Sequence, residues 1–144
     1  MENILDETRF IMKKYNIRAN KSLGQNFLIN SEVVENIVNS SDIKKEDMVI
    51  EIGPGLGTLT KYLLERAGKV LCVELDTKMI KILNDRFSIY NNFEIINADV
   101  LKVDLNEGEW SVLVDGEKAD SEVQYKIEDS IVNVSARSAL ILIK

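Results

Sequence analysis

The 144 residues contain no histidine, one cysteine (Cys72) and one proline (Pro54). Without an imidazole there is no His-based catalytic triad, and with a single thiol a zinc site is not expected. Cys72 has no disulfide partner within the chain and sits in an apolar run, so it reads as a small core residue of a reducing compartment. No apolar run approaches the roughly 20 residues needed to span a bilayer, and the N-terminus lacks a signal-peptide pattern. The expectation is a cytoplasmic protein with neither a metal nor a membrane partner. Positive charge is also scarce: 18 Lys and Arg stand against 24 Asp and Glu, for a net charge of −6. As a sum this argues against nucleic acid. The distribution argues otherwise. Residues 8–24 carry Arg9, Lys13, Lys14, Arg18 and Lys21 and no acid, whereas residues 106–144 hold eight acids and four bases. A local basic arm can meet phosphates while the rest of the chain stays acidic.

What is present centres on residues 48–60, MVIEIGPGLGTLT. Met48 to Ile52 is apolar except for Glu51, the pattern of a parallel strand covered on both faces. Gly53, Gly55 and Gly57 follow at alternate positions, where the missing Cβ lets the backbone turn sharply and a ligand come close. Thr58, Leu59, Tyr62 and Leu63 then take helical spacing, with Thr58 as the expected N-cap and Gly68 as the residue just past the helix end. A Gly-x-Gly after a strand is often only a tight turn. Here a second apolar run, Val70 to Val73, ends in Glu74, and a carboxylate at that strand tip can accept hydrogen bonds from both ribose hydroxyls. Thr58 occupies the third position of the dinucleotide fingerprint, so the loop suits a nucleoside better than a dinucleotide.

The flanking segments extend this unit. Residues 2–15 predict a helix with Ile4, Thr8, Ile11 and Tyr15 on one face, and residues 16–30 read as a loop. Asn30 or Ser31 caps a helix presenting Val33, Val34, Ile37 and Val38, and Asp76 or Thr77 caps one bearing Met79, Ile80, Leu83 and Phe87. Phe93 to Asn97 is the third strand, followed by Asp99. Glu51, Glu74 and Asp99 are thus expected at the carboxyl ends of three successive strands, the edge where open α/β sheets bind ligands.

SLGQNFL at 22–28, EIGPGLGTLT at 51–60, VELD at 73–76 and ADVL at 98–101 resemble, in order, the motifs of the ribosomal RNA adenine dimethyltransferases, in particular the kasugamycin-resistance type that modifies small-subunit RNA. The macrolide-resistance enzymes of the large subunit are similar but match SLGQNFL less well. The resemblance covers residues 1–105 and implies a partial Rossmann-like, S-adenosylmethionine-dependent methyltransferase fold of about three parallel strands. It implies dimethylation of the exocyclic amines of two adjacent adenines, with small-subunit ribosomal RNA, or the immature small subunit, as partner. It also implies roles. Asn26 and Leu28 would close over the methionine part of the cofactor, and Gly53 and Gly55 would approach its methionine and sugar. Glu51 would orient the loop and the cofactor's amino group, Glu74 would bind the ribose hydroxyls, and Asp99, beside the Val100 backbone, would accept from the adenine amine. Arg9, Lys13, Lys14, Arg18 and Lys21 would contact RNA phosphates.

The family performs its chemistry with Asn-Leu-Pro-Tyr after the fourth strand, whose ring stacks on a flipped adenine. Pro54 is the only proline, so that motif lies nowhere in these 144 residues, and no residue is assigned as catalytic. Residues 106–144 read differently. Trp110–Val114, Val123–Ile127, Ile131–Val134 and Ala139–Ile143 are short strands around the hairpin signal Asp115-Gly116, an antiparallel pattern. WSVLVDGEKADSE and VSARSALILIK resemble the C-terminal β region of pullulanase-type enzymes, which would make 106–144 a β tail unrelated to the methyltransferases. The expectation is a cofactor-binding half that is inactive alone. The alternatives are a non-catalytic module binding S-adenosylmethionine or RNA, and a non-functional fusion fragment.

Overall fold

A computed structural model describes residues 3–20 and 27–98, and the strand backbones at 102–104, 110–114, 125–127, 131–133 and 140–143. Four helices and three parallel strands make up its first part: α1 (Ile4–Lys14), α2 (Ser31–Ser40), β1 (Met48–Ile52), α3 (Thr58–Arg66), β2 (Lys69–Glu74), α4 (Thr77–Arg86) and β3 (Phe93–Asn97). Five short strands follow: β4 (Lys102–Asp104), β5 (Trp110–Val114), β6 (Tyr125–Ile127), β7 (Ile131–Asn133) and β8 (Leu140–Ile143).

Helix ends are set by side chains the sequence offers for the purpose. Asn3 caps α1 by accepting from the Leu5 and Asp6 amides, Asn30 caps α2 through Glu32 and Val33, and Asp76 caps α4 through Lys78. α1 ends where Asn16 takes φ 48°, so that Ile17 N–H reaches the Met12 carbonyl and Asn16 N–H the Lys13 carbonyl. This is a Schellman closure with asparagine in the left-handed position usually given to glycine. α3 departs from expectation. Its N-cap is Gly57, with φ 81° and no side-chain cap, and Thr58 is the first helical residue. A β-branched Thr58 does not suit the left-handed angle that ends the glycine loop, so the cap falls one residue earlier. α3 also stops at Arg66, with Ala67 already extended. Gly68 stands just past the helix, as expected, but not for its conformational freedom: a Cβ there would lie 2.1 Å from the Lys45 carbonyl oxygen.

β1 and β2 pair in parallel, with Glu51 opposite Cys72, and β2 pairs in parallel with β3. The helices cover one face. Val49, Val70 and Cys72 there join Val34, Ile37, Leu63, Leu64, Met79 and Leu83 in the main core. Ile50, Ile52 and Val73 alternate to the opposite face and are also buried. Burial on both sides explains why the runs of β1 and β2 are apolar but for Glu51 and their termini. Ile82, which the sequence pattern passes over, is buried on α4 beside the expected Met79, Leu83 and Phe87.

The sheet does not end at β1. Its order is β3-β2-β1-β8-β5-β6, with β8 antiparallel to β1 and to β5, and β5 antiparallel to β6. A doubly wound sheet places a parallel fourth strand beside β1 after a crossover. Here Leu140–Ile143 occupies that position running the other way, so the antiparallel segment read from the sequence continues the methyltransferase-like sheet. β6 takes up Tyr125–Ile127 of the expected Val123–Ile127, the first two residues lying outside the described ones, and the unanticipated β4 pairs antiparallel with β7 in a separate ribbon.

Gly68→Ala pushes a methyl group into backbone that cannot swing aside. It is expected to destabilise the fold by about 1–3 kcal/mol, measured as a lower urea midpoint at unchanged slope.

Candidate cofactor site at the ends of the parallel strands

The loop from β1 to α3 turns on three glycines with positive φ: Gly53 at 71°, Gly55 at 58° and Gly57 at 81°. Pro54, Leu56 and Gly57 face inward and are buried, while Gly53 is exposed and Gly55 half-exposed. The outer surface of the loop is therefore bare backbone, which is what lets a ligand approach closely. Gly57 is inward for steric reasons as well, since a Cβ would meet the Phe87 ring at 2.5 Å and Leu83 at 2.7 Å. The loop is held at two points. Gly53 N–H donates to the Val73 carbonyl, carrying the β1–β2 pairing one residue further, and the Arg86 guanidinium donates to the Leu56 carbonyl. Arg86 also binds Glu7, so one side chain of α4 fastens both α1 and the glycine loop.

Glu74 ends β2 at the rim of this loop and is 8% exposed. Its Oε1 accepts from the Leu75 and Asp76 amides at 2.9 Å each, and the Gly55 amide also bonds the carboxylate. Burial pushes its pKa up, and the Asp76, Gly55 and Leu75 N–H groups oppose that by favouring the ionised form. Asn97 fixes the strand tip from the neighbouring strand, its amide donating to the Glu74 and Leu75 carbonyls at 3.0 Å. The result is a carboxylate pre-set at a strand end beside exposed glycine backbone.

Glu51 is placed differently from the expectation. It lies one residue inside β1 and points beneath the loop, into the interface with α3. Its Oε2 accepts from Thr60 Oγ1 at 2.6 Å and from the Cys72 thiol at 3.7 Å. Burial raises its pKa to about 7 against the opposing Thr60 and Cys72 hydrogen bonds, with Glu74 adding a smaller upward push. Burial, reinforced by the Glu51 charge, also holds the Cys72 thiol well above its ordinary range, which keeps it protonated and unreactive. Two of the three carboxylates thus share the neighbourhood of the loop, one at its rim and one under it.

Leu28 is half-buried against the core. Phe27, not singled out from sequence, stands over the glycine loop, its ring 3.4 Å from where a Gly55 Cβ would be. Asn26, Lys21, Asp99 and Val100 lie outside the described residues. Arg9, Lys13, Lys14 and Arg18 are all exposed. Arg9 pairs with Asp6 at 3.7 Å, and Lys14 pairs with Asp85 at 3.3 Å beside a Tyr15–Asp85 hydrogen bond. Sequence reading missed Thr60, Arg86 and Asn97. Thr60 carried a usable signal, a hydroxyl in the first turn of the helix that follows the acid-bearing strand. Arg86 and Asn97 carried none, because their partners, Glu7 and the Leu56 carbonyl for the one and the Glu74 and Leu75 carbonyls for the other, are distant in sequence.

A parallel βαβ with a bare glycine loop and a carboxylate at the second strand's tip defines a Rossmann-like α/β fold. The chain belongs to the ribosomal RNA adenine dimethylase family, whose model matches residues 16–135. It is 55% identical over 100 residues to a ribosomal RNA small subunit methyltransferase A of Clostridium botulinum, covering 69% of this chain and 36% of that protein. It is 52% identical over 101 residues to the protein of the same name from Alkaliphilus metalliredigens, covering 70% and 35%. The chain therefore spans about a third of the length of these relatives. Among solved structures, a dimethyladenosine transferase from Plasmodium falciparum superposes with a TM-score of 0.53 at 34% identity, over 57% of this chain and 30% of that one. The 23S rRNA methyltransferase ErmE gives 0.50 at 36%, over 53% and 31%.

The raised Glu51 carboxyl makes stability depend on pH. The folded chain holds that proton more tightly than the unfolded chain, whose carboxyl titrates near 4.5. Its contribution is therefore full below that value and falls as pH rises through about 7, by about 3 kcal/mol in all. Glu51→Gln keeps an oxygen for Thr60 and removes the proton. Urea unfolding across this range is expected to show a flatter profile for the variant, with its advantage over the parent largest at pH 8.

Proposed function

We propose that this chain is the S-adenosylmethionine-binding half of an RNA adenine dimethylation system acting on adjacent adenines of small-subunit ribosomal RNA. The observation that carries the cofactor part is the Glu74 carboxylate, held by the Gly55, Leu75 and Asp76 amides at the rim of the exposed glycine backbone. Three N–H groups occupy part of the carboxylate and leave acceptor capacity for a vicinal diol, so the donor–acceptor set fits a ribose. When bound, the cofactor supplies a sulfonium methyl group. The chain's own part is to bind and orient it. Gly53 and Gly55 admit the methionine and sugar, Glu74 takes the ribose hydroxyls, and Leu28 with Asn26 closes the methionine side. Asp99 and the Val100 backbone read the adenine. Glu51 acts on the loop from beneath through Thr60, and its bearing on the cofactor's amino group is exerted by fixing that loop. Arg9, Lys13, Lys14, Arg18 and Lys21 offer charge to RNA phosphates. The names of the relatives support the small-subunit target, and the closer fit of SLGQNFL supports it over the large subunit.

The Asn-Leu-Pro-Tyr motif that positions the adenine amine in the family is not among these residues, which supports a half that binds without turning over. The switch from parallel to antiparallel pairing after β3 supports reading residues 106–144 as a segment joined to the methyltransferase half, with the likeness to the pullulanase-type β region as its suggested source. Methyl incorporation into undermethylated small subunits by the chain alone would refute the claim that the missing motif is needed.

Calorimetric titration with S-adenosylhomocysteine tests the cofactor reading. The parent chain is expected to bind saturably. Glu74→Ala, which leaves ribose hydroxyls without a charged partner, is expected to weaken binding by about 1.5–3 kcal/mol, tenfold or more. Absence of heat, with no thermal stabilisation by the ligand, would overturn it.

A further inference from the structure

One aromatic ring appears among the exposed large apolar side chains of the described residues: Phe10 of α1, 66% exposed. Its helix has a core face of Ile4, Thr8 and Ile11, and Phe10 is not on it. The helix carrying it is fastened firmly. Glu7 is bound by Arg86, Asp85 takes Tyr15 and Lys14, and the Schellman closure at Asn16 fixes the last turn. Lys13 and Lys14 stand three and four positions on, on the same side of the helix as Phe10. The acids near this face are already engaged: Asp6 by Arg9, Glu7 by Arg86 and Lys61, Asp85 by Lys14. Among the described residues no carboxylate pairs with Lys13 or Arg18. The patch therefore combines a rigidly held, solvent-facing ring with Lys13, a cation that is not neutralised.

We propose that Phe10 is a stacking platform for an unpaired base of single-stranded RNA, with Lys13 holding an adjoining phosphate. The proposal rests on the reading of RNA as the substrate and adds where, and through what contact, the strand is held. An apolar protein surface would match the ring but not the cation. A duplex would match the cation but hide its base faces. A single strand offers both, and stacking on an aromatic ring tolerates any base.

The test uses the full chain and a fluorescein-labelled single-stranded RNA of roughly 12 adenine and uracil nucleotides, read by anisotropy. Phe10→Ala is expected to weaken binding roughly fivefold to hundredfold, and Phe10→Leu by a similar factor, because the ring is what matters. Phe10→Trp is expected to bind like the parent and to show tryptophan quenching on binding, above the Trp110 signal. Lys13→Ala is expected to lower the salt slope by about one while leaving the quenching of a Phe10→Trp background in place. S-adenosylhomocysteine binding by every variant should equal the parent's, which shows that each is folded. Parent-like RNA binding by Phe10→Ala overturns the proposal. Parent-like binding by Phe10→Leu also overturns it, because the ring is then not what holds the strand. If the parent binds the cofactor product but no RNA, both this proposal and the RNA part of the functional reading fall, and the cofactor part stands.

Discussion

Everything at the ligand end depends on one chain reversal, in which β1 must give way to α3 within five residues while leaving its outer surface free of side chains. Three alternate positive φ angles accomplish this, and only glycine adopts such a series without strain. The turn has little stability of its own, since glycine is the residue that loses most freedom on ordering. It is held from outside: by the Gly53–Val73 backbone bond, by Arg86 on the Leu56 carbonyl, and by Glu51 and Thr60 tying the strand below to the helix beyond. The three anchors come from β2, α4 and α3, so the loop is correct only when the surrounding layer is assembled.

This dependence also explains the burial of an acid under a ligand site. A carboxyl with a pKa near 7 is an uncomfortable core residue, and an apolar side chain would cost less to bury. An apolar side chain would leave the Thr60 hydroxyl, itself fully buried, without an acceptor. Glu51 and Thr60 form a matched pair, and Cys72, directly opposite Glu51 in the β1–β2 register, is a small neighbour whose weak donor fits the remaining space.

Local pattern made the first part of this fold legible. The period-3.6 faces of α1, α2 and α4, the caps Asn30 and Asp76, and the apolar runs of β1 and β2 all follow from rules acting within a few residues. The glycine loop and Glu74 were legible because their spacing is a consequence of one βαβ turn. The misreadings have separate causes. Thr58 was a plausible cap by residue type, but the left-handed angle required of the preceding turn fell on Gly57. Gly68 looked like a conformational glycine and is a steric one, because Lys45 crosses above it. Glu51 looked like a rim carboxylate, yet strand alternation turns it to the helix face. Thr58 and Glu51 were settled locally, by a backbone angle and by strand alternation; Gly68 was decided by a distant segment, and such contacts leave no mark in a window of ten residues. The direction of β8 beside β1 was out of reach for the same reason.

The two neighbours of β1 differ in more than direction. On one side Val49 meets Val70, across a single helix and turn; on the other it meets Ile143, across the greater part of the chain. Contacts of the first kind close quickly and those of the second slowly, because the entropy of the intervening chain must be given up first. The glycine loop and the Glu74 tip belong to the fast side. A newly made chain can thus assemble its ligand-facing edge as a local unit while β1 still has an open flank, and that flank is where an extended segment of another chain could pair before Leu140–Ile143 arrives.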